Sequence, residues 1–255
     1  MPSGFFPGVF YLLKRHYPIF LSGVMVTITI SMLGTMFGFV IGLFLATLRL
    51  LPSSKPRNRI VRIITKLGAV ISKIYVQVFR GTPMIVQATV IYYGVLALFG
   101  YWSAFVAGIV VVSLNTAAYM AEIIRGGVTS IDKGQTEAGL AIGLTYWQTL
   151  RHIVFPQALK HAIPAFGNEL IVNIKDTSVL SVIAVSDLFF SSKFIITNNF
   201  RPFEVYFIIS VIYLVLTLSM SALLRRLEKG IGLRVRYSPP SSQTVPEVMG
   251  EISDE

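Results

Sequence analysis

The chain has 255 residues, is 54% hydrophobic and only 13% charged, and has a mean hydropathy of +0.70. Soluble domains carry about 25% charged residues, so this composition excludes a soluble globular domain and points to a polytopic membrane protein. It contains no cysteine, which excludes a disulfide framework and thiol chemistry. The formal net charge of +10 is, in such a chain, a topology signal rather than a sign of nucleic acid.

Residues 5–17 mix aromatics with Lys14 and Arg15, which suits a short interfacial helix, and residues 1–18 form an N-terminal segment of that kind. No basic n-region precedes the apolar start and no small-residue cleavage site follows it, so a secretory signal is not expected. From His16 to Leu48 there is no Asp, Glu, Lys or Arg, enough for one tilted span. Gly34, Gly38 and Gly42 recur at four-residue spacing, a stripe that suits either close helix packing or glycine tolerated toward lipid.

Arg49 to Lys66 is a basic loop with Pro52 and Pro56, and residues 59–79 read as helical, partly at the interface. Gly81 to Ala121 is free of charged residues and accommodates spans near 82–99 and 103–122, with Gly100 to Ser103 as the turn.

Glu137 to Pro156 is different. Its uncharged core, Ala138 to Leu150, is too short to span a bilayer, and Asp132, Lys133, Glu137, Arg151 and Lys160 flank it. Gly143 weakens any helix at its middle and Pro156 is expected to stop the second half. The reading is two short amphipathic helices with a glycine hinge, outside the bilayer, in a loop spanning 132–156.

Ala158 to Phe190 is apolar but interrupted by Pro164, Gly167, Asn168, Glu169, Asn173, Lys175 and Asp176. So polar a helix in a membrane must face a bundle interior or a wet cavity. Ser191 to Pro202 reads as a polar loop, Val205 to Leu224 as a clean span, and 238–255 as a disordered tail.

The expected fold is therefore an all-α integral membrane protein of about five transmembrane helices, with 19–237 as its membrane domain. The three loops assigned to the cytosol hold 15 of the 22 Lys and Arg residues, which sets the N-terminus outside and the C-terminus inside.

Two polar stripes have helical spacing. Asn115, Tyr119 and Glu122 share one face of the third span; Glu169, Asn173 and Asp176 share one face of the fourth, with Lys175 beside them. Facing stripes of this kind suit a hydrophilic path. Lys175, Thr177 and Ser178 can meet a carboxylate, and the acidic groups an ammonium. Structural ion pairs or a position near a membrane face explain the same residues.

The pattern Glu137-Ala138-Gly139, Gly143, Ile153, Phe155-Pro156 resembles the EAA loop of ATP-binding cassette importer permeases. That family has Ala third and Leu before the proline, where this chain has Gly139 and Phe155. Arg80 to Pro83 with Gln87, Tyr119 with Glu122, Arg125 to Gly127, Ser130, Gly134-Gln135, Asn168 and Lys175 to Ser178 resemble the polar-amino-acid branch. The resemblance, from about residue 20 to 230, implies a permease subunit of the bacterial inner membrane. It implies ATPase subunits that bind the loop as a coupling helix through Glu137, Ala138, Gly139, Gly143, Ile153 and Pro156. It also implies a second permease subunit, identical or paralogous, an external solute-binding protein and an amino-acid substrate.

The chain has no Gly-Lys dipeptide and hence no Walker A loop, so ATP acts through the partner ATPase; no cofactor or metal is expected on this chain. A homo-oligomeric channel or secondary transporter for small polar solutes is the alternative, although no internal repeat is evident. An intramembrane enzyme is disfavoured, because His16, His152 and His161 form no HExxH motif.

Overall fold

The computed structural model describes residues 4–50 and 59–230; the tail assigned to 238–255 lies outside the described residues. All regular structure described is helical. The helices are α1 (Phe5–Leu50), α2 (Arg59–Gly81), α3 (Met84–Phe99), α4 (Ala104–Thr129), α5 (Lys133–Ala141), α6 (Tyr146–Thr149), α7 (Phe155–Asp176), α8 (Leu188–Asn199) and α9 (Pro202–Gly230). A π-turn, Leu150–Val154, joins α6 to α7, and a 3₁₀ segment, Thr177–Ile183, extends α7.

Helices α1, α4 and α9 are each long and apolar enough to cross a membrane. Two bent pairs bring the total to as many as five, if each pair is one span: α2 with α3, bent by 112°, and Ala162–Ile183 with α8, bent by 56°. Alone, α3 has 16 residues and rises about 24 Å, less than the ~30 Å hydrocarbon core. It passes as a span only when counted together with α2, from which it is sharply bent. The expected loop Ser191 to Pro202 is corrected, because most of it is α8. Asp187 caps that helix by accepting from Phe190 N at 2.8 Å, and Leu188, Ser192 and Ile195 turn one buried face inward. Its Ser and Asn pairs look like loop in the sequence, but one residue of each, Ser192 and Asn199, is buried with Leu188 and Ile195.

The first helix runs continuously from Phe5 but is broken at His16, whose φ of −114° and ψ of 15° are not helical; Pro18, lacking an N–H, follows two residues later. The segment before the break packs Phe5 against Phe203 and Phe207 of α9.

The core is the contact of α1 with α4. Gly34, Gly38 and Gly42 are buried and face Val112, Thr116 and Met120. A Cβ on Gly38 would stand 2.7 Å from Thr116 Cβ and 3.0 Å from Ser113 O, so the stripe serves close packing and not lipid. Close approach gains dispersion energy, the main attraction between helices where lipid is as apolar as the side chains. Ile30, Val111, Val112, Leu180 and Ile183 close the core on one side; Leu12, Leu188, Ile195 and Val205 form a second cluster under α8 and α9.

Candidate translocation cleft and coupling surface

The break between α2 and α3 is held from inside. Pro83 adopts an extended backbone (φ −63°, ψ 139°), which begins α3 in a new direction. Gln87, one turn into α3, is buried and donates to Phe79 O at 2.8 Å and to Thr82 O at 2.9 Å. Its own Oε1 accepts from Asn115 Nδ2 at 2.9 Å. The carbonyls freed by the break thus find donors, and the break is clipped to α4.

This clip opens a cleft of about 560 Å³ between the end of α1, the basic side of α2 and α4. Arg49, Lys73, Arg80, Tyr119, Glu122 and Arg125 are among the residues that line it. Glu122 is held from both sides: it pairs with Arg49 at the end of α1, and its Oε2 lies 2.9 Å from Arg125 Nη2. The Arg80 guanidinium sits 5.5 Å from the centre of the Tyr119 ring, a cation–π distance. Glu169 and Asp176 of α7 fall within electrostatic reach of Tyr119, and Glu169 also within reach of Arg80.

The two polar stripes are therefore split. Tyr119 and Glu122 line the cleft; Glu169 lies within electrostatic reach of Arg80, and Asp176 within reach of Tyr119 and Glu169, without lining it. Asn115 does not line it, because its amide is buried and directed at Gln87. Asn173 does not line the cleft either: it is 2% exposed, and its Nδ2 donates to Thr35 Oγ1 at 2.8 Å and to Thr116 Oγ1 at 2.9 Å. One amide thus ties α7 to α1 and α4. The hydroxyls of Thr177 and Ser178 return to their own chain, donating to Ile174 O and Lys175 O. Thr177 is buried and Lys175 half-buried. Arg80 and Arg49 were not assigned to the cleft from the sequence, nor Gln87 to the clip beside it. The Arg80–Pro83 motif marked their neighbourhood, but only the bend shows which way each side chain turns.

On the loop, Asp132 caps α5 by accepting from Gly134 N at 2.6 Å. Gly143 takes a φ of 87°, which turns the chain back toward α6. Thr145 and Gln148 then form a reciprocal capping box. Gly139 is buried against Thr149: a Cβ there would lie 2.5 Å from Thr149 Cγ2. So the Gly at this position matches a bulky neighbour across the hairpin and is not simply a looser turn.

Pro156 does not stop the second helix, contrary to expectation. The π-turn, in which Phe155 N–H reaches Leu150 O, widens the helix just where a proline ring would collide with a preceding carbonyl, and α7 runs on. The hinge at Gly143 stands, but no break at Pro156 isolates a short rod.

One surface of the hairpin is open. Leu140, Ile142, Tyr146 and Trp147 are exposed, and Glu137 and Ala138 lie beside them, also exposed. The other surface is anchored: Leu150 and Val154 are buried, Ile153 is half-buried, and Phe155 packs with Leu43, Ala46 and Ile124 of α1 and α4. A groove of about 300 Å³ bounded by Leu43, Thr47, Leu50, Trp147 and Phe155 separates the hairpin from the end of α1. The hairpin is thereby packed against α1 and α4 and continuous with α7.

A five-span helical body with an anchored, apolar-faced loop between α4 and α7 defines a membrane permease, and residues 38–233 match a family across both parts. The chain belongs to the family of binding-protein-dependent transport system inner membrane components. It is 38% identical over 214 residues to the glutamine transport system permease protein GlnP of Escherichia coli (strain K12), covering 83% of this chain and 92% of that one. It is 40% identical to the L-cystine transport system permease protein TcyL of Bacillus subtilis (strain 168), covering 81% of this chain and 84% of that one. Its fold superposes with a TM-score of 0.77 and 36% identity on a crystal structure described as an amino acid ABC transporter with histidines. That match covers 90% of this chain and 100% of the other.

Proposed function

We propose that this chain is the membrane-embedded subunit of an ATP-driven amino-acid importer. It works with a second permease subunit, two ATPase subunits seated on the coupling hairpins, and an external binding protein that delivers the amino acid. The chain itself supplies no catalytic group and holds no cofactor; ATP is hydrolysed on the separate ATPase. Residues 19–237 form the permease body. The observation that carries the reading is that identity to permeases named for glutamine and cystine extends over four-fifths of the chain and is not confined to the coupling loop.

In this reading Tyr119, Glu169 and Asp176 line the path. Arg80 offers the amino acid's carboxylate a cation, and Glu169 and Asp176 offer its ammonium a carboxylate. The surface from Glu137 to Trp147 docks in the ATPase. Lys175, Thr177 and Ser178 shape the turn at which α7 tightens.

Uptake of a panel of amino acids into proteoliposomes carrying the complete transporter, with the binding protein supplied, tests the reading. Saturable, ATP-dependent uptake of at least one amino acid is expected; uptake of sugars or metal ions alone would overturn it. Glu169→Gln keeps shape and removes charge. It is expected to lower uptake at least tenfold while the subunits still co-purify, and full uptake would remove Glu169 from the path.

A further inference from the structure

The second helix carries a feature that the importer reading uses only at Arg80. The first 121 residues of the chain contain ten Lys and Arg residues and no Asp or Glu. Five of those cations, Arg59, Arg62, Lys66, Lys73 and Arg80, lie on α2. At about 100° per residue they fall within about 60° of one another around its axis. All five are exposed.

The neighbouring arc of the same helix is apolar and open: Ile63 (56%), Leu67 (58%), Val70 (53%), Ile71 (55%) and Ile74 (55%) are all uncovered. Only the third arc packs inward. There Ser72 donates to Leu45 O at 2.9 Å, Tyr75 donates to Leu114 O at 2.7 Å, and Val76 is buried.

Helix α2 is thus a basic amphipathic helix with its cationic and apolar arcs side by side. It also sits at the right depth. Gly68 packs against Leu48 near the end of α1, and Lys73 shares the cleft with Arg49 and Arg125. The end of α1 borders the coupling hairpin through the groove of Leu50 and Trp147. The nearby carboxylate, Glu122, is already shared by Arg49 and Arg125. Arg62, Lys66 and Lys73 have no ion-pair partner among the described residues. Such a helix lies along a leaflet with its apolar arc in the acyl chains and its cations at headgroup level.

We propose that α2 is a docking site for anionic phospholipid, with Arg62, Lys66 and Lys73 binding headgroup phosphates of the leaflet on the coupling-hairpin side. The occupant is identified by two complementarities at once: phosphate for the basic arc and acyl chain for the apolar arc beside it. An acidic protein surface would match only the first. The inference goes beyond the importer reading and does not depend on the cargo being an amino acid.

The test titrates the purified full chain in neutral detergent with phosphatidylglycerol or with phosphatidylcholine and counts bound lipid by native mass spectrometry. Phosphatidylglycerol is expected to bind preferentially. The triple variant Arg62→Gln/Lys66→Gln/Lys73→Gln is expected to lose that preference, by about fivefold per charge. The charge-matched control Lys14→Gln/Arg15→Gln/Lys193→Gln is expected to keep it. The swap Arg62→Lys/Lys66→Arg/Lys73→Arg is also expected to keep it, so a folding defect in the glutamine triple does not decide the outcome.

Equal binding of the two lipids by the native chain overturns the proposal. So does displacement of phosphatidylglycerol by millimolar inorganic phosphate, which would mark a free-anion pocket. Loss of a chain–chain cross-link in the glutamine triple, with lipid binding unchanged, would instead assign the basic arc to a second copy.

Discussion

Asn173 shows how a polar residue at helical spacing is taken up by helix packing. Its amide has two donors, and hydroxyls of two other helices accept both. Interhelical hydrogen bonds in membranes contribute about 0.6–2 kcal/mol each. Asn173→Val is therefore expected to destabilise the subunit by roughly 1–3 kcal/mol, read as a lower unfolding midpoint in detergent. A midpoint equal to the native one would show that α7 is held by packing alone. Glu169→Gln belongs to the opposite class: transport should fall with the midpoint unchanged.

Gly139 makes a second residue-scale case. Gly139→Ala places a methyl 2.5 Å from Thr149 Cγ2 and is expected to cost about 1–3 kcal/mol. Adding Thr149→Ala removes the two nearest atoms it meets, Cγ2 and Oγ1, and should restore most of the midpoint. Failure of the double variant to recover would mean that the glycine serves backbone freedom and not space.

At the level of elements, the coupling hairpin is a clamp with one free face. Its inner face is fixed by Leu150, Val154 and the Phe155 cluster, while Leu140, Ile142, Tyr146 and Trp147 stay uncovered beside Glu137. An apolar surface rimmed by charge marks a protein docking site. Glu137→Lys reverses the charge at its edge and is expected to cost a few kcal/mol at the interface if the contact is desolvated. ATPase co-purification should drop while the subunit still inserts; undiminished co-purification and transport would move the contact elsewhere. The hairpin was legible in the sequence because its uncharged run is too short for a bilayer and Gly143 sits at its middle. The π-turn was not, since widening a helix to admit Pro156 depends on what α7 packs against. Helix α8 was missed for the related reason that two of its polar residues, Ser192 and Asn199, are buried on one face with Leu188 and Ile195, a placement that only the packing decides.

At the scale of the whole molecule, orientation is a matter of charge. The Lys and Arg bias sets the hairpin side in the cytosol and α8 near the outer face. Because the native chain has no cysteine, single cysteines report this directly. Asn198 and Ser130 are both exposed, whereas Ser192 is fully buried and unsuited to the purpose. An impermeant thiol reagent on intact cells should label Asn198→Cys and leave Ser130→Cys unlabelled. The reverse pattern would invert the permease.

What the amino-acid sequence determined was whatever follows from composition and local period. A charge-poor chain must enter a membrane. A run of uncharged residues must cross it. A short, charge-flanked run must stay out, and glycines repeating every four residues leave a groove that another helix can fill. What only the tertiary structure decided was direction. The 112° bend at Gly81 to Pro83 sends Arg80 toward Tyr119 and turns Gln87 back to clip the break. Asn115 and Asn173, equal in the sequence to Tyr119 and Glu169, were drawn into the helix contacts. An amide in hydrocarbon must find a partner, and which partner it finds depends on which helix stands opposite, a fact that no stretch of the chain contains on its own.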